Sequence, residues 1–79
     1  MREKQLRLVV AFHTTTAAMA LEKYCGAHDI PGRLIPIPRE ITAGCGLAWS
    51  APPSARADLE RAAAAVGALV DGYYELMLC

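Results

Sequence analysis

The sequence predicts an α+β domain in which a four-stranded antiparallel sheet carries two helices on one face. Segments with the two-residue period of strands and segments with the period of helices follow one another in the order β-α-β-β-α-β. The 79 residues fit a single domain, residues 1–79. Pro36 and Pro38 cannot donate ladder hydrogen bonds, so the second strand must lie at a sheet edge. Right-handed crossovers then give the strand order 4-1-3-2, which is the ferredoxin-like sandwich.

The first half of the chain supplies two strands and one helix. Residues 6–12 alternate at first and then become apolar on both faces, which is typical of a central strand. A helix follows from the threonines at 14–16, whose side chains can cap the exposed amides, and ends near His28. A Pro-Gly turn leads to the second strand at residues 33–37. The residues that recur at helical spacing are Ala17, Leu21, Tyr24 and His28, with Ala18 and Cys25 beside them.

The second half supplies two strands and the second helix. Pro52-Pro53 ends the third strand, and Ser54 is expected to cap the helix that follows. Leu21 on the first helix and Val66 on the second are both expected to face the sheet. The predicted elements are a turn at 42–46, a strand at 47–51, a helix from Ser54 to about Val70 that Asp71-Gly72 closes, and a strand at 73–78.

Composition excludes several classes of protein. Eight basic and eight acidic residues give a formal net charge of zero, so the chain lacks the basic surface of a nucleic-acid binder. No apolar run approaches the ~20 residues that span a bilayer and no targeting segment is visible, so we expect a cytoplasmic protein without a membrane partner. The three cysteines are odd in number and lack CxxC spacing. That pattern argues against a disulfide framework or a metal site, and no cofactor is expected.

Cys45 is the candidate reactive residue because it lies between Gly44 and Gly46. Glycine has no side chain, so the thiol is left uncovered and the chain can turn sharply around it. Arg39, followed by Glu40, is the nearest fixed cation in the sequence. Cations and helix N-termini favour the thiolate, which is the nucleophilic form of cysteine. The alternative is that Cys45 is a small residue that fills a tight turn.

The predicted topology brings further polar groups to the end of the sheet where Cys45 lies. The first strand runs up to the start of the first helix, and the second strand runs up to the turn before the third. His13, Thr14 and Thr15 therefore lie at the same end as Cys45. His13 is a candidate proton partner, and the amides at the helix start are a candidate binding site for an anion, such as a terminal sulfur or selenium atom.

Several stretches match one family pattern, and the most specific is Pro38-Arg39-Glu40 followed by Gly44-Cys45-Gly46. The matching residues are Phe12, Thr14-Thr15, Ala18, Glu22-Lys23, residues 32–36, 38–41 and 43–48. Over nearly its whole length the chain resembles the small selenium/sulfur carrier-like family. The resemblance implies a bacterial cytoplasmic protein with sulfur or selenium donor and acceptor proteins as partners. It transfers Cys45 as the carrier residue, framed by Gly44, Gly46, Arg39, Glu40 and Thr14-Thr15. Unlike other sulfur carriers, the chain has no Cys-Pro-x-Pro motif at the start of a helix.

The sequence leaves two functions open. The first is a sulfur or selenium carrier, an accessory protein rather than a complete enzyme, which requires the Cys45 thiol. The second is a non-catalytic ligand- or protein-binding module that forms a homodimer through its open sheet face and tolerates serine at position 45. Val9, Trp49 and one C-terminal tyrosine are candidates for apolar cover on that face. A redox regulator would need a second thiol near Cys45, and Cys79 is predicted at the opposite end of the sheet.

Overall fold

The computed structural model describes residues 4–41, 46–68 and 70–78. Its strands are β1 (Gln5–Phe12), β2 (Arg33–Pro36), β3 (Leu47–Ala51) and β4 (Val70–Leu78). They form one antiparallel sheet in the order β2-β3-β1-β4, which confirms the predicted topology. Within the described residues β2 pairs with β3 alone, so the strand that contains Pro36 is an edge strand, as its proline requires.

The first helix, α1, spans Thr15–Ala27 and has both boundaries where the sequence predicts them. Thr14 precedes it in an extended conformation, and its Oγ1 accepts a hydrogen bond from the N–H of Ala17 at 3.1 Å. That bond satisfies one of the amides that every helix start leaves unpaired. At the other end the N–H of His28 donates to the carbonyl oxygen of Tyr24, and the two rings stack with their centroids 4.0 Å apart.

The second helix, α2, is shorter than predicted. A 3-10 turn at Pro53–Ala55 precedes it, and the helix spans Arg56–Val66 instead of reaching Val70. No side chain caps the start of the turn or of the helix, so Ser54 is not the predicted cap. Gly67 takes a left-handed conformation with φ of 65°, which ends the helix. The predicted helix end was wrong because this glycine stops the helix and leaves the following residues to begin β4.

The larger core lies between the sheet and the two helices. Leu8, Val10 and Phe12 project from β1 towards the helices and are fully buried. Leu21 from α1 and Leu59 from α2 are buried in the same cluster, which confirms that Leu21 faces the sheet. The other buried members are Ala17, Ala18, Cys25, Trp49, Ala51, Ala55 and Ala62.

Two side-chain expectations are tested by the structure. Trp49 is buried in the helix-side core, so it cannot contribute to the open sheet face. Val66 is half-buried, lines a shallow groove with Tyr24 and Ala27 of α1 and is not part of the helix-side core, so the expectation that it faces the sheet is not confirmed. It is the last residue of α2, and the buried stripe of that helix ends at Ala63.

The opposite face of the sheet is covered without a helix. Val9, Ala11 and Ala48 have no exposed surface. Residues 37–41, called here the 37–41 segment, fold against them, and Ile41 is only 5% exposed. The segment is held by two backbone bonds, from the N–H of Ile37 to the oxygen of Gly46 and from the N–H of Ile41 to the oxygen of Pro38. The half-buried side chains around this second core are Ile35, Ile37, Tyr74, Leu76 and Leu78.

The turn between α1 and β2 is fitted closely to the indole of Trp49. The indole Nε1 donates to the carbonyl oxygen of Pro31 at 3.3 Å. Gly32 has a φ of 126°, and a Cβ added there would lie 2.3 Å from Nε1. Any larger residue therefore meets both backbone strain and a collision with a buried side chain.

We predict that Leu21→Ala lowers the free energy of unfolding by about 2–5 kcal/mol, because it opens a cavity in the helix-side core. Met19→Ala, on the same helix but 58% exposed, is the control and should cost less than about 0.5 kcal/mol. Urea titration of both variants checks this. Equal losses would contradict the assignment of the buried helix face.

We also predict that Gly32→Ala destabilises the fold by about 1–3 kcal/mol, since the new methyl group collides with the Trp49 indole. Gly26→Ala is the matched control. Gly26 lies in α1 with no atom within 4 Å of its added Cβ, so alanine should leave stability unchanged or raise it by up to about 1 kcal/mol. Thermal unfolding of the pair provides the comparison, and a stable Gly32→Ala variant would refute the close fit.

Candidate functional site

The structure describes part of the predicted site. His13, Thr14, Thr15, Arg39, Glu40 and Gly46 are described, whereas Gly44 and Cys45 lie outside the described residues. Gly46 follows Cys45 directly in the chain, so it marks where the cysteine-containing stretch joins β3. Gly46 has a φ of 92° and nothing within 4 Å of an added Cβ. The positive φ therefore favours glycine at position 46, as predicted, although there is room for a larger side chain.

The sheet register brings Gly46 and His13 to the same end of the molecule. Ala11 of β1 pairs with Ala48 of β3. His13 lies two residues beyond Ala11, and Gly46 lies two residues before Ala48 on the antiparallel strand. The start of α1, at Thr15, is at this end too. Gly46, His13 and the start of α1 therefore lie at one end of the sheet, whereas the position of Cys45 at that end stays a prediction.

The start of α1 presents backbone donors at this end. Thr14 uses its hydroxyl oxygen to cap Ala17, while Thr15 and Thr16 are exposed. The N–H groups of Thr15 and Thr16 have no acceptor among the described residues, and no acidic side chain lies in the first turn of the helix. The positive end of the helix dipole is therefore uncompensated by a carboxylate within that turn, which favours an anion nearby.

Arg39 and Glu40 lie at the tip of the 37–41 segment. Both are exposed, in the turn that the Ile41-to-Pro38 hydrogen bond closes. Arg39 forms no ion pair with any described residue. Its guanidinium is therefore available to an anionic group, and its effect on Cys45 stays a prediction.

A contact between His13 and Asp71 was not predicted from the sequence. The imidazole Nδ1 lies 3.4 Å from Oδ1 of Asp71. The sequence-based prediction that Asp71-Gly72 closes the second helix is wrong, because Asp71 lies in β4. Gly67 is the sequence feature that could have placed Asp71 in the last strand, because a helix that ends at this glycine does not extend to Asp71.

Cys25 is a core residue, as predicted. It is 1% exposed, and burial raises the pKa of its thiol. The neutral thiol packs as a small apolar group in the helix-side core. Cys25 is therefore not accessible to reagents or protein partners in the folded chain.

Metal and membrane features are lacking across residues 4–41, 46–68 and 70–78. No group of three or more His, Cys, Asp or Glu side chains there is placed to hold a metal ion. None of the helices within those ranges is long and apolar enough to cross a membrane.

A comparison with known protein families identifies the family to which the chain belongs. A family model described as "Putative Se/S carrier protein-like" matches residues 7–75, which run from β1 into β4. The chain belongs to this family. No curated protein and no solved structure matches it. The match to the Se/S carrier-like family includes His13, Cys25, Cys45 and Asp71 and stops before Cys79.

The raised pKa of Cys25 predicts a loss of stability in alkaline solution. The unfolded thiol ionises near pH ~8.5, whereas the folded thiol stays protonated to higher pH. Stability is therefore fully present below that pH and falls as pH rises above it. Cys25→Ala should flatten this decline between about pH 8.5 and 9.5, below the range in which tyrosines ionise. Urea titrations across that window test it, and an unchanged slope would contradict the assignment.

Proposed function

We propose that this Se/S carrier-like chain holds a sulfur or selenium atom on Cys45 and passes it from a donor protein to an acceptor protein. The observation that carries the proposal is the burial of Cys25. The family match contains two cysteines, Cys25 and Cys45, and Cys25 is sealed in the core. Cys79 lies beyond the matched residues. Cys45 is therefore the one cysteine within the match that burial in the described core does not exclude as the carrier.

The chemistry requires a thiolate and a persulfide donor. The Cys45 thiolate attacks the terminal sulfur of the donor persulfide, and a new S–S bond forms. The donor S–S bond breaks and the donor cysteine leaves as a thiolate. An acceptor nucleophile then takes the terminal sulfur and restores the Cys45 thiolate. Each exchange conserves electrons, so no separate oxidant or reductant is consumed, and a terminal selenium atom transfers in the same way.

The described surroundings support a negatively charged group in this region. The N–H groups of Thr15 and Thr16, which have no acceptor among the described residues, lie at the same end of the sheet as Gly46. A helix N-terminus stabilises a nearby anion by ~0.3–1 kcal/mol at an exposed site. Arg39 carries a positive charge without a described ion-pair partner. Both features favour the thiolate or a terminal persulfide anion over the neutral thiol.

The family assignment also points to partner proteins, because a carrier acts between a donor and an acceptor. We place the chain in the bacterial cytoplasm, where free thiols persist. Homodimer formation through the sheet face opposite the helices stays a prediction. The partly exposed apolar side chains on that face include Tyr74, Leu76 and Ile35, whereas Val9 there is fully buried and Trp49 lies on the helix side. The alternative function, a binding module without thiol chemistry, would leave Cys45→Ser fully functional.

The direct test loads the purified protein with inorganic polysulfide and locates the added sulfur by mass spectrometry of intact protein and peptides. We expect one added sulfur on the peptide that contains Cys45, none in Cys45→Ser, and normal loading in Cys25→Ala. Loading that persists in Cys45→Ser, or that divides equally between Cys45 and Cys79, would contradict the proposal.

A second test concerns Arg39. Arg39→Gln should slow alkylation of Cys45 by iodoacetamide about two- to five-fold near pH 7, the ratio expected for ~0.4–1 kcal/mol from one exposed charge. Arg33→Gln is the matched control. Arg33 is exposed on β2 and has no ion pair among the described residues, so the variant removes the same charge elsewhere on the sheet. Equal effects of the two variants would show that only net charge matters.

A further inference from the structure

The outer edge of β4, called here the β4 edge, is a surface that the proposed function does not use. Among the described residues β4 pairs with β1 alone, so its other side carries a row of backbone N–H and C=O groups without a described strand partner. We propose that this edge pairs antiparallel with β4 of a second copy of the chain, about a two-fold axis at Tyr74. Pairing at the β4 edge does not depend on the sulfur chemistry at Cys45.

The two edges of the sheet differ in how they are protected against another chain. β2 is four residues long, ends with Pro36 and has the exposed Arg33 at its start. Short length, proline and charge are the usual features that keep an edge strand from pairing with another chain. β4 is nine residues long and contains neither proline nor a basic residue. The β4 edge is therefore the one that is open to a further strand.

A bulge at one end of β4 limits where the pairing occurs. Ala11 pairs with Gly72, but the next residue, Phe12, pairs with Val70, so Asp71 is an extra residue in β4. A bulge bends the strand and disturbs regular pairing at an edge. The regular part of the strand is residues 72–78, and the proposed pairing uses residues 72–76 of each copy.

The charges on β4 select one register for the two-fold pairing. Side chains directly opposite each other in an antiparallel pair lie on the same face, and like charges in such a pair are destabilising. An axis at Tyr73 places Glu75 opposite Asp71 of the second copy, and an axis at Glu75 places the two Glu75 carboxylates opposite each other. An axis at Tyr74, the middle residue of β4, avoids both. It sets Tyr73 of each copy opposite Glu75 of the other.

This register gives Glu75 a positively charged partner. Glu75 pairs with Leu8, so it lies on the helix side of the sheet, where it is exposed and has no ion pair among the described residues. The Arg56 guanidinium lies on the same side, 5.1 Å from the centre of the Tyr73 ring. Glu75 of the second copy, opposite Tyr73, then lies beside Arg56. Arg56 also contacts Glu60 at 3.3 Å, and its five N–H donors suffice for both carboxylates.

Apolar side chains flank the β4 edge on both faces. On the face opposite the helices Tyr74 and Leu76 are half-buried, and an added Cβ at Gly72 would lie 2.9 Å from the Tyr74 hydroxyl oxygen. Leu76 of the second copy, opposite Gly72, then packs against the Tyr74 ring. On the helix side Leu6 and Met77 are cross-strand neighbours, 46% and 54% exposed. Apolar surface beside an unpaired edge favours burial by a second chain.

The pairing produces a closed assembly. The strand order becomes β2-β3-β1-β4-β4-β1-β3-β2, so both outer edges are the short strand that contains Pro36. A two-fold contact uses the same surface on both copies and leaves no β4 edge for the addition of a third chain. The expected species is therefore a dimer and not an open fibre.

Charge reversal tests the register. Arg56→Glu places two carboxylates together at each contact, and Glu75→Arg places two guanidinium groups together there. Each variant alone should self-associate about ten-fold or more weakly than wild type in sedimentation experiments, because both symmetry-related contacts change from attraction to repulsion. An equimolar mixture of the two variants should regain association close to that of wild type, because every contact then joins opposite charges.

Lys23→Glu and Glu22→Arg are the matched controls. Both residues are exposed on α1, which has no part in the proposed interface, and their substitutions change the net charge by the same amounts. Each control should self-associate as wild type does, and so should their mixture. Recovery that depends only on mixing chains of opposite net charge would appear in the controls as well and would overturn the proposal.

Hydrogen exchange tests the backbone pairing directly. Amides of residues 72–76 that point away from β1 should exchange more slowly as the protein concentration rises, because they become hydrogen-bonded in the dimer. The outward amides of β2 should show no such dependence. Glu75→Arg should remove the concentration dependence in β4.

Three results would overturn the inference. One is a monomer in sedimentation at the concentrations used for NMR. Another is a dimer with wild-type affinity in both Arg56→Glu and Glu75→Arg, or one that protects no amides of β4, because the second copy would then bind elsewhere, such as the sheet face opposite the helices. The third is a mixture of the two variants that associates no better than either alone.

Discussion

The register of β1 between β3 and β4 is the constraint on which the rest of the structure depends. β1 is one of the two inner strands of the described sheet and pairs with β3 along one edge and β4 along the other, so its position is fixed by two ladders. A slip of one residue would exchange its two faces. Leu8, Val10 and Phe12 would then leave the helix-side core. The same register brings His13 to the end of the sheet where Gly46 enters β3. Core packing and the shared position of His13 and Gly46 at one end of the sheet are therefore consequences of one pairing.

Burial on both faces of β1 links the site to the stability of the fold. Helices cover one face, and the 37–41 segment covers part of the other through Ile41. That segment carries Arg39 at its tip and ends at Ile41, four residues before Cys45 in the sequence. The apolar contacts of Ile41 with Val9, Ala11 and Ala48 therefore anchor the chain one short stretch away from Cys45. A functional loop positioned by a buried neighbour on a rigid sheet is a common arrangement for binding and catalytic residues.

Features that depend on local stereochemistry were predictable from the sequence. Pro36 predicts the edge strand and Thr14 predicts the helix start, because the effect of each residue is confined to its own backbone or its nearest neighbours. The end of α2 was missed because an alanine-rich run masked the stop at Gly67. The contact between His13 and Asp71 joins residues far apart in sequence through a bulge, and no local pattern specifies where a bulge falls. Cys45 is recognisable as a candidate from its flanking glycines, whereas the groups near it depend on tertiary structure.

The central claim is that Cys45 is a single, reversible carrier site. Its most direct measurement is the amount of labile sulfur per chain after polysulfide loading and removal of free reagent, determined by cyanolysis to thiocyanate. The account predicts about one labile sulfur per chain in wild type and in Cys25→Ala, and none above background in Cys45→Ser. It also predicts that loss of the label to an added thiol regenerates a chain that loads again. Equal labile sulfur in wild type and Cys45→Ser would contradict the account, because the atom would then be carried elsewhere.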